Sequence, residues 1–276
     1  MRESILLSNQ EIKNELVKML VAVDKYMMQN CFHYTIFAGT LLGAIRHGGF
    51  IPWDDDIDIA LLRSEYELLV DKLRHNPNIN DELSAIGFEI EKGDFPYIKI
   101  INKKIQTEEP ISIYSSQKGY LWIDVFPLDG VPEYKIDSYY KKLKRLESKY
   151  LKKRMYMNKW TMDNSSDATL IKKIKHFLEN KFVDYDLLIL KYINFAKKNK
   201  VDMGKMVANN IWGIGYKEAF PSKYMMDIVD YSFENIKVKG IKAADKWLTI
   251  RYGNYMKLPE KEQRVNHGLK AWKTIE

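Results

Sequence analysis

The sequence predicts an α+β fold in which a mixed β-sheet core with flanking helices is followed by a mainly helical C-terminal half. Short segments rich in β-branched and aromatic residues alternate with helical patterns up to about residue 133. From about residue 135 to residue 200, apolar residues recur at the three-to-four spacing of a helix. The 276 residues suffice for one large domain or two small ones. We therefore expect a catalytic core over residues 1–133 and a helical region over residues 134–276 that completes the active site.

The first elements follow from local patterns. Apolar residues at helical spacing predict a helix over residues 9–30. The segment 33–38 is predicted to be a strand that ends at Gly39. Thr40 can begin a short helix to Ile45, because the Gly48-Gly49 pair follows and would end it.

Later elements are predicted in the same way. Ser64 and Glu67 fit a capping box for a helix that extends to about residue 75. Pro127 and an Asp129-Gly130 turn are expected to end a strand over residues 121–126. The remaining expected elements are strands at 56–62, near 87–91 and at 97–102, and helices near 221–234 and 239–251.

The composition is that of an ordinary globular protein, with 46% hydrophobic and 29% charged residues. The single cysteine, Cys31, excludes an internal disulfide and a cysteine zinc cluster, and we expect it to be buried. No signal peptide is visible, and no stretch approaches about 20 uninterrupted apolar residues. A cytoplasmic location is therefore the expectation.

Positive charge is concentrated in one segment. The net charge is +7, yet Tyr134–Lys181 alone contains 14 Lys and Arg against 5 Asp and Glu. Within this basic amphipathic segment, 135–181, basic and apolar residues alternate over residues 141–154. The pattern indicates either a surface that attracts phosphate-rich partners or an anionic membrane, or simply a solvated helix face.

The most informative motif is the acidic run that follows Trp53. Asp56 and Asp58 are two residues apart on a predicted strand, so their carboxylates point to the same face. Like charges held together usually need a cation between them, and oxygen ligands suit Mg²⁺ or Mn²⁺. Asp55 should point the opposite way, and Asp54 lies outside the strand as a supporting residue. The alternative is a solvated acidic loop.

A third carboxylate, Asp124, stands alone in the apolar segment 121–126. A buried carboxylate is costly unless it is paired or binds a metal. If the two strands are neighbours, Asp124 converges with Asp56 and Asp58 on a site for one or two metal ions. The alternative is a buried pair with Arg or Lys.

Several other residues suit phosphate binding. Gly39 allows close backbone approach, and Thr40 adds a hydroxyl donor at a helix start. Arg46, His47 and Lys99 are candidates to contact phosphates. For each of the three, a salt bridge to one of the nearby acids is the alternative.

Together these residues resemble the LicD family of phosphotransferases, the LicD/fukutin-like group. The window Gly39-Thr-Leu-Leu-Gly-Ala-Ile-Arg-His-Gly-Gly-Phe-Ile-Pro-Trp-Asp-Asp-Asp-Ile-Asp58 matches the first signature of this family closely. The segment from Ile123 to Gly130 resembles the second signature. The segment from Arg251 to Pro259, followed by Arg264 and His267, resembles the third. The family often has paired histidines there, whereas Gly268 follows His267 in this chain.

The resemblance implies a nucleotidyltransferase-type fold and a reaction. A CDP-activated alcohol, typically CDP-choline, gives its phospho-alcohol group to a sugar hydroxyl and releases CMP. Asp56, Asp58 and Asp124 would bind Mg²⁺ or Mn²⁺ and carry catalysis. Donor phosphate would be held by Gly39, Thr40, Arg46, Lys99, Arg264 and His267.

The resemblance also implies partners. The acceptor would be a precursor of teichoic acid, lipopolysaccharide or another surface glycan. No nucleic acid is expected as a partner. A lipid-linked acceptor would lie at the anionic inner face of a membrane, which the basic residues 141–154 would contact peripherally.

Choline recognition needs aromatic faces, because a quaternary ammonium cannot donate hydrogen bonds. A cage of Trp53, Trp212 and Tyr216, with Phe220 nearby, would supply them, and aromatic core packing is the alternative.

Two other activities remain open from the residues alone. Asp56-Ile-Asp58 also fits the Asp-x-Asp motif of metal-dependent glycosyltransferases, although that motif is short. A nucleotidylyltransferase, which transfers the nucleoside monophosphate itself, is the second.

Overall fold

A computed structural model describes residues 4–91, 93–110, 118–157, 184–264 and 268–274. The helices are α1 (Asn9–Gln29), α2 (Ala38–His47), α3 (Arg63–His75), α4 (Phe88–Glu91), α5 (Ile136–Met157), α6 (Tyr185–Ala196) and α7 (Ala244–Tyr252). Short 3₁₀ helices span Gly215–Glu218, Ser222–Met226 and Lys261–Gln263. The strands are β1 (Ser4–Leu6), β2 (Thr35–Ile36), β3 (Asp58–Leu62), β4 (Leu83–Ile86), β5 (Ile98–Pro110), β6 (Lys118–Gly130), β7 (Met206–Ala208), β8 (Phe220–Pro221), β9 (Ile228–Phe233), β10 (Ile236–Ile241) and β11 (Ala271–Thr274).

The main sheet has the strand order β1-β11-β5-β6-β3-β2. Strand β4 pairs with β5, while β7 and β8 continue from β6. Strands β3 and β6 are parallel, and the other described pairs are antiparallel. The C-terminal strand β11 returns to the sheet between β1 and β5. This mixed sheet with flanking helices confirms the predicted α+β class.

Several predicted elements are confirmed by the structure. Helix α1 spans Asn9–Gln29, and the reciprocal hydrogen bonds of Ser8 and Glu11 form a capping box at its start. Helix α2 ends at Gly48, whose φ of +71° suits a glycine at a helix terminus. Strand β3 and helix α3 lie where the acidic run and the following pattern predict them.

Three predictions about elements were wrong. Residues near 87–91 form α4 rather than a strand, and the strand lies earlier, at Leu83–Ile86. The segment 221–234 is not a helix, because Ile228–Phe233 pairs with β10 in an antiparallel hairpin. Pairing with a neighbouring strand overrode a pattern that, read locally, suggested a helix. Of the predicted helix 239–251, only the part from Ala244 is helical.

The predicted end points of two elements also differ. Leu62, not Ser64, precedes α3, and no side-chain cap forms there. Strand β6 continues through Pro127 to Gly130. Beyond Val125, β5 no longer pairs with β6, so the missing N–H of Pro127 leaves no ladder bond unmade.

Helix α5 packs its apolar side against the protein core. Tyr139, Tyr140, Leu143 and Tyr150 are buried in the main hydrophobic cluster. The opposite side is exposed and basic. Residues 158–181, the rest of the predicted basic segment, lie outside the described residues. Because the apolar side is covered, α5 cannot insert into a bilayer as an interfacial helix.

Two further outcomes concern exposure. Cys31 is exposed, and the expectation that it is buried was wrong. It follows the end of α1 with a φ of +57°, which turns the chain toward β2. None of the helices in the described part of the chain is long and apolar enough to cross a membrane.

Candidate active site

Three charged residues lie side by side across the centre of the sheet. Asp58 of β3 is in register with Asp124 of β6, and Asp124 is in register with Lys99 of β5. Residues in register on neighbouring strands project from the same face of a sheet. The structure therefore brings Asp58 and Asp124 together, as expected for neighbouring strands.

Asp56 lies on the same side, just before β3. Residues 54, 56 and 58 are half-buried, whereas Asp55, Ile57 and Ile59 are buried. This alternation shows that the extended backbone begins before the first ladder bond of β3. Asp55 points away, as predicted, and accepts a hydrogen bond from the backbone N–H of Leu269 at 3.2 Å.

Asp56, Asp58 and Asp124 form an acidic face, on which the negative charges repel one another. Burial, followed by the negative charges of Asp54 and Asp124, raises the pKa of Asp56 to about 8. Burial and the charges of Asp56 and Asp124 also raise the pKa of Asp58 well above its ordinary value. Such carboxylates lower their energy by binding a proton or a cation. The face is therefore a candidate cation site.

Asp124 has a cationic partner in the protein. The Nζ atom of Lys99 lies 2.9 Å from its Oδ1. Burial raises the pKa of Asp124, while Lys99 and the indole of Trp122 oppose that shift. The ammonium also lies 4.1 Å from the ring of Trp122, 4.7 Å from that of Phe95 and 5.6 Å from that of Tyr97. The salt bridge left open as an alternative for Lys99 is thus present, and a role on donor phosphate stays a prediction.

Helix α2 supports the acidic face from its N-terminus. The backbone N–H of Asp58 donates to the Thr40 hydroxyl at 2.8 Å, which fixes the start of β3 against the helix. Gly39 is inside α2, not at the end of a strand as predicted. A Cβ there would lie 2.6 Å from Oδ2 of Asp54, so the close approach that requires glycine is to a carboxylate. Phosphate binding by Gly39 and Thr40 stays a prediction.

Two arginines border the site near Trp53. Arg46 donates to the backbone carbonyl of Tyr255 at 2.7 Å and to His47 at 2.9 Å. Burial lowers the pKa of Arg46, and the nearby charge of Arg264 adds to this effect. Arg264 lies 5.1 Å from the ring of Trp53. Two cations that repel each other in one region suit an anionic ligand. His267 lies outside the described residues.

The expected aromatic cage of Trp53, Trp212 and Tyr216 stays a prediction. Trp53 contacts Arg264, Trp212 contacts Tyr97 at 5.9 Å, and Tyr216 contacts Tyr140 at 5.0 Å. Among the described residues, no ring contact joins Trp53, Trp212 and Tyr216 to one another, and Phe220 instead packs against Trp247 in the core.

Sequence reasoning missed two residues of α7. Arg251 forms an ion pair with the fully buried Glu218, and its charge opposes the raised pKa of Asp58. Burial raises the pKa of the neighbouring Tyr252, and Asp58 and Asp54 add to that shift. Both side chains therefore lie beside the acidic face. Arg251 lies in the segment that resembles the third signature of the LicD family, but its own role was not predicted from the sequence.

The donor set fits a hard divalent cation, since carboxylate oxygens converge on a half-buried face. If a divalent cation binds on this face, Asp56 and Asp58 would be its ligands. Asp124 would join them, in competition with its ion pair to Lys99. Among the described residues, no three His, Cys, Asp or Glu side chains are arranged to hold a metal. The metal role of this trio stays a prediction.

Comparisons with known proteins show which family this chain resembles. A family model described as the LicD/FKTN/FKRP nucleotidyltransferase domain matches residues 32–161. The lipopolysaccharide cholinephosphotransferase LicD of Haemophilus influenzae is 30% identical over 244 residues, which cover 87% of this chain and 88% of that protein. An uncharacterized protein of Rickettsia prowazekii is 34% identical over 140 residues, 47% of this chain and 48% of its own.

The matched range contains α2, β3, Lys99 and Asp124, and the Haemophilus relative is aligned along most of both chains. The chain therefore belongs to the LicD family of phosphotransferases.

Proposed function

We propose that this protein transfers phosphocholine from CDP-choline to a hydroxyl of a bacterial surface-glycan precursor and releases CMP. The observation that carries the proposal is the alignment of Asp58 with Asp124 across β3 and β6, with Asp56 on the same face. Support for choline comes from the Haemophilus relative, which is named as a lipopolysaccharide cholinephosphotransferase. The donor, the metal and the choice between lipopolysaccharide and teichoic acid precursors are parts of the proposal.

In the proposed reaction the acceptor oxygen bonds to the phosphorus that carries choline. The bond from that phosphorus to the bridging oxygen breaks, and the bridging oxygen leaves with CMP. The hydroxyl proton must pass to a base, and Asp124 is suited to accept it because burial raises its pKa. Lys99 keeps this carboxylate in place through the 2.9 Å ion pair.

Asp56 and Asp58 would hold Mg²⁺ or Mn²⁺, and the ion would supply neutralisation of charge on the donor pyrophosphate. Arg46, Arg264 and Arg251 place three guanidinium groups around the same region. They would orient the two phosphates of the donor and stabilise the charge that develops on CMP. Thr40 would keep Asp58 oriented through its bond to the backbone N–H.

Product analysis tests the proposal. The protein is incubated with Mg²⁺, a glycan acceptor and either CDP-choline, CDP-ethanolamine, CDP-ribitol or CDP-glycerol. We expect CMP release and a phosphocholine ester on the acceptor with CDP-choline. Transfer of CMP to the acceptor with release of phosphocholine would favour a nucleotidylyltransferase. Reaction of a sugar nucleotide supplied in a parallel incubation, with no reaction of any CDP-alcohol, would favour a glycosyltransferase. Asp58→Asn, checked for folding, is the inactive control.

A further inference from the structure

An exposed apolar loop lies between β7 and the 3₁₀ helix Gly215–Glu218. Trp212, Ile214 and Tyr216 are 42%, 47% and 39% exposed, whereas the residues between and before them are buried. Three large apolar side chains within five residues are therefore partly exposed to solvent. Isolated exposed apolar residues are common, but a cluster of them on one loop marks an interaction surface.

The backbone of this loop is fixed in place. The N–H of Ile214 donates to Glu218 at 3.0 Å, and the N–H of Trp212 donates to the Tyr192 hydroxyl at 3.2 Å. Trp212 has a φ of +71°, a conformation that a bulky residue rarely adopts. A Cβ at Gly213 would collide with Glu218 and with the backbone of the preceding turn. The hydrogen bonds and the strained backbone at Trp212 therefore fix the positions of the exposed side chains.

The loop lies directly against the basic helix α5. Lys144 donates to the carbonyl of Gly213 at 3.0 Å, and Tyr216 donates to Asp137 at 3.2 Å. Around this contact the exposed basic residues are Lys141, Lys142, Lys144, Arg145, Lys149, Lys152 and Lys217. On the part of α5 whose side chains are described, Asp137 is exposed and Glu147 is partly buried. Apolar side chains are therefore flanked by charge of almost one sign.

We propose that the loop 212–216 and the exposed face of α5 form a docking surface for an anionic lipid bilayer. Aromatic and aliphatic side chains enter the interfacial region, while lysines and arginines meet lipid phosphates. Lysine is depleted at protein–protein interfaces, so this dense set of lysines favours a lipid surface over a protein partner. The loop supplies the apolar contact that α5 itself cannot, because the apolar face of α5 is buried.

The surface adjoins the candidate active site. The ring of Trp212 lies 5.9 Å from that of Tyr97, whose pKa is raised by burial and by the charges of Asp124 and other neighbours. A protein docked in this way would hold its acidic face close to acceptors in the membrane. Only this last consequence rests on the proposed function, since bilayer binding itself needs no donor or acceptor.

Vesicle sedimentation tests the surface without any nucleotide. The full chain is mixed with vesicles of phosphatidylcholine containing 30% phosphatidylglycerol, or of phosphatidylcholine alone, at about 0.05 and 0.5 M salt. We expect binding to the anionic vesicles only, and loss of that binding at high salt. Absence of binding to anionic vesicles, or equal binding to both kinds, would overturn the proposal while leaving the transfer activity open.

Matched variants locate the contact. Ile214→Gln should lower the vesicle partition coefficient roughly fivefold to tenfold, because a partly inserted aliphatic side chain is lost. Val21→Gln, at a residue of α1 that is 48% exposed, is the control and should leave partitioning unchanged. Circular dichroism verifies that both variants fold. Equal losses in the two variants, or no loss in Ile214→Gln, would contradict the assignment of the loop.

Discussion

Replacing Asp56 by Asn should make the metal-free protein more stable at pH 8 while abolishing its activity. The pKa of Asp56 in the folded protein is about 8, against an ordinary value of 3.8 that applies to the unfolded chain. The folded protein therefore holds this proton more tightly, so that ionisation penalises folding progressively between about pH 4 and pH 8. Below this window the penalty is absent, and above it the penalty is complete.

The magnitude follows from the two pKa values. At about 1.4 kcal/mol per pH unit, ionisation of Asp56 can lower the free energy of unfolding by at most about 5 kcal/mol at pH 8 and about 2 kcal/mol at pH 5. Asp56 is half-buried, so solvent screening reduces these figures by about half. We expect Asp56→Asn to gain about 2 to 3 kcal/mol at pH 8 and about 1 kcal/mol at pH 5. For a chain of this size, the melting temperature should rise by about 5 °C at pH 8 and about 2 °C at pH 5.

The assay is thermal unfolding followed by circular dichroism in EDTA at both pH values. Saturating Mg²⁺ should raise the melting temperature of the wild type and leave that of the variant almost unchanged. A destabilised variant, or a gain in stability that is the same at pH 5 and pH 8, would contradict this prediction. In either case the charge of Asp56 would not be the source of strain.

Three further substitutions test other parts of the site and its support. Gly39→Ala should reduce activity at least tenfold and change the free energy of unfolding by less than about 1 kcal/mol, because the new Cβ displaces Asp54 rather than disturbing the helix. Steady-state kinetics and melting curves measure the two effects, and unchanged activity would contradict the prediction. Asp129→Asn should lower the free energy of unfolding by about 3 kcal/mol, since the buried Arg63, which donates to Asp129 at 2.6 and 3.0 Å, would keep only the more distant Glu89, at 3.8 Å, as a charge partner. Urea titration measures this loss, and a loss below about 1 kcal/mol would count against it. Lys99→Met should destabilise the protein by about 2 to 4 kcal/mol in EDTA and by less in Mg²⁺, because a bound cation can replace the ammonium beside the buried carboxylate of Asp124. Equal losses of stability in both conditions would argue against that replacement.

The acidic face could be predicted because it depends on local rules. The two-residue period of an extended chain places Asp56 and Asp58 together, and it continues even where no ladder bond forms. Asp124 was found because a lone acid inside an apolar strand needs a partner. The parallel pairing that aligns it with Asp58 is a property of the whole sheet, which the local patterns only made plausible.

What the sequence could not supply depends on long-range pairing. The partner of Lys99 is set by the β5–β6 register, which shifts at an irregularity between Asn102 and Gln106 and has no local signature. Arg251 reaches the site through the docking of α7 and the buried Glu218, far from the acidic run in the chain. The hairpin β9–β10 was mistaken for helix because its cross-strand contacts, rather than its own pattern, determine its structure.

Crystallographic localisation of Mn²⁺ tests the central claim most directly. Crystals of the full chain grown with Mn²⁺ and CDP-choline would be measured for anomalous scattering at the manganese edge. We expect a peak within about 2.0 to 2.3 Å of carboxylate oxygens of Asp56 and Asp58, on the face shared with Asp124. A donor molecule bound in the site with no such peak, or with manganese held by other residues, would contradict it.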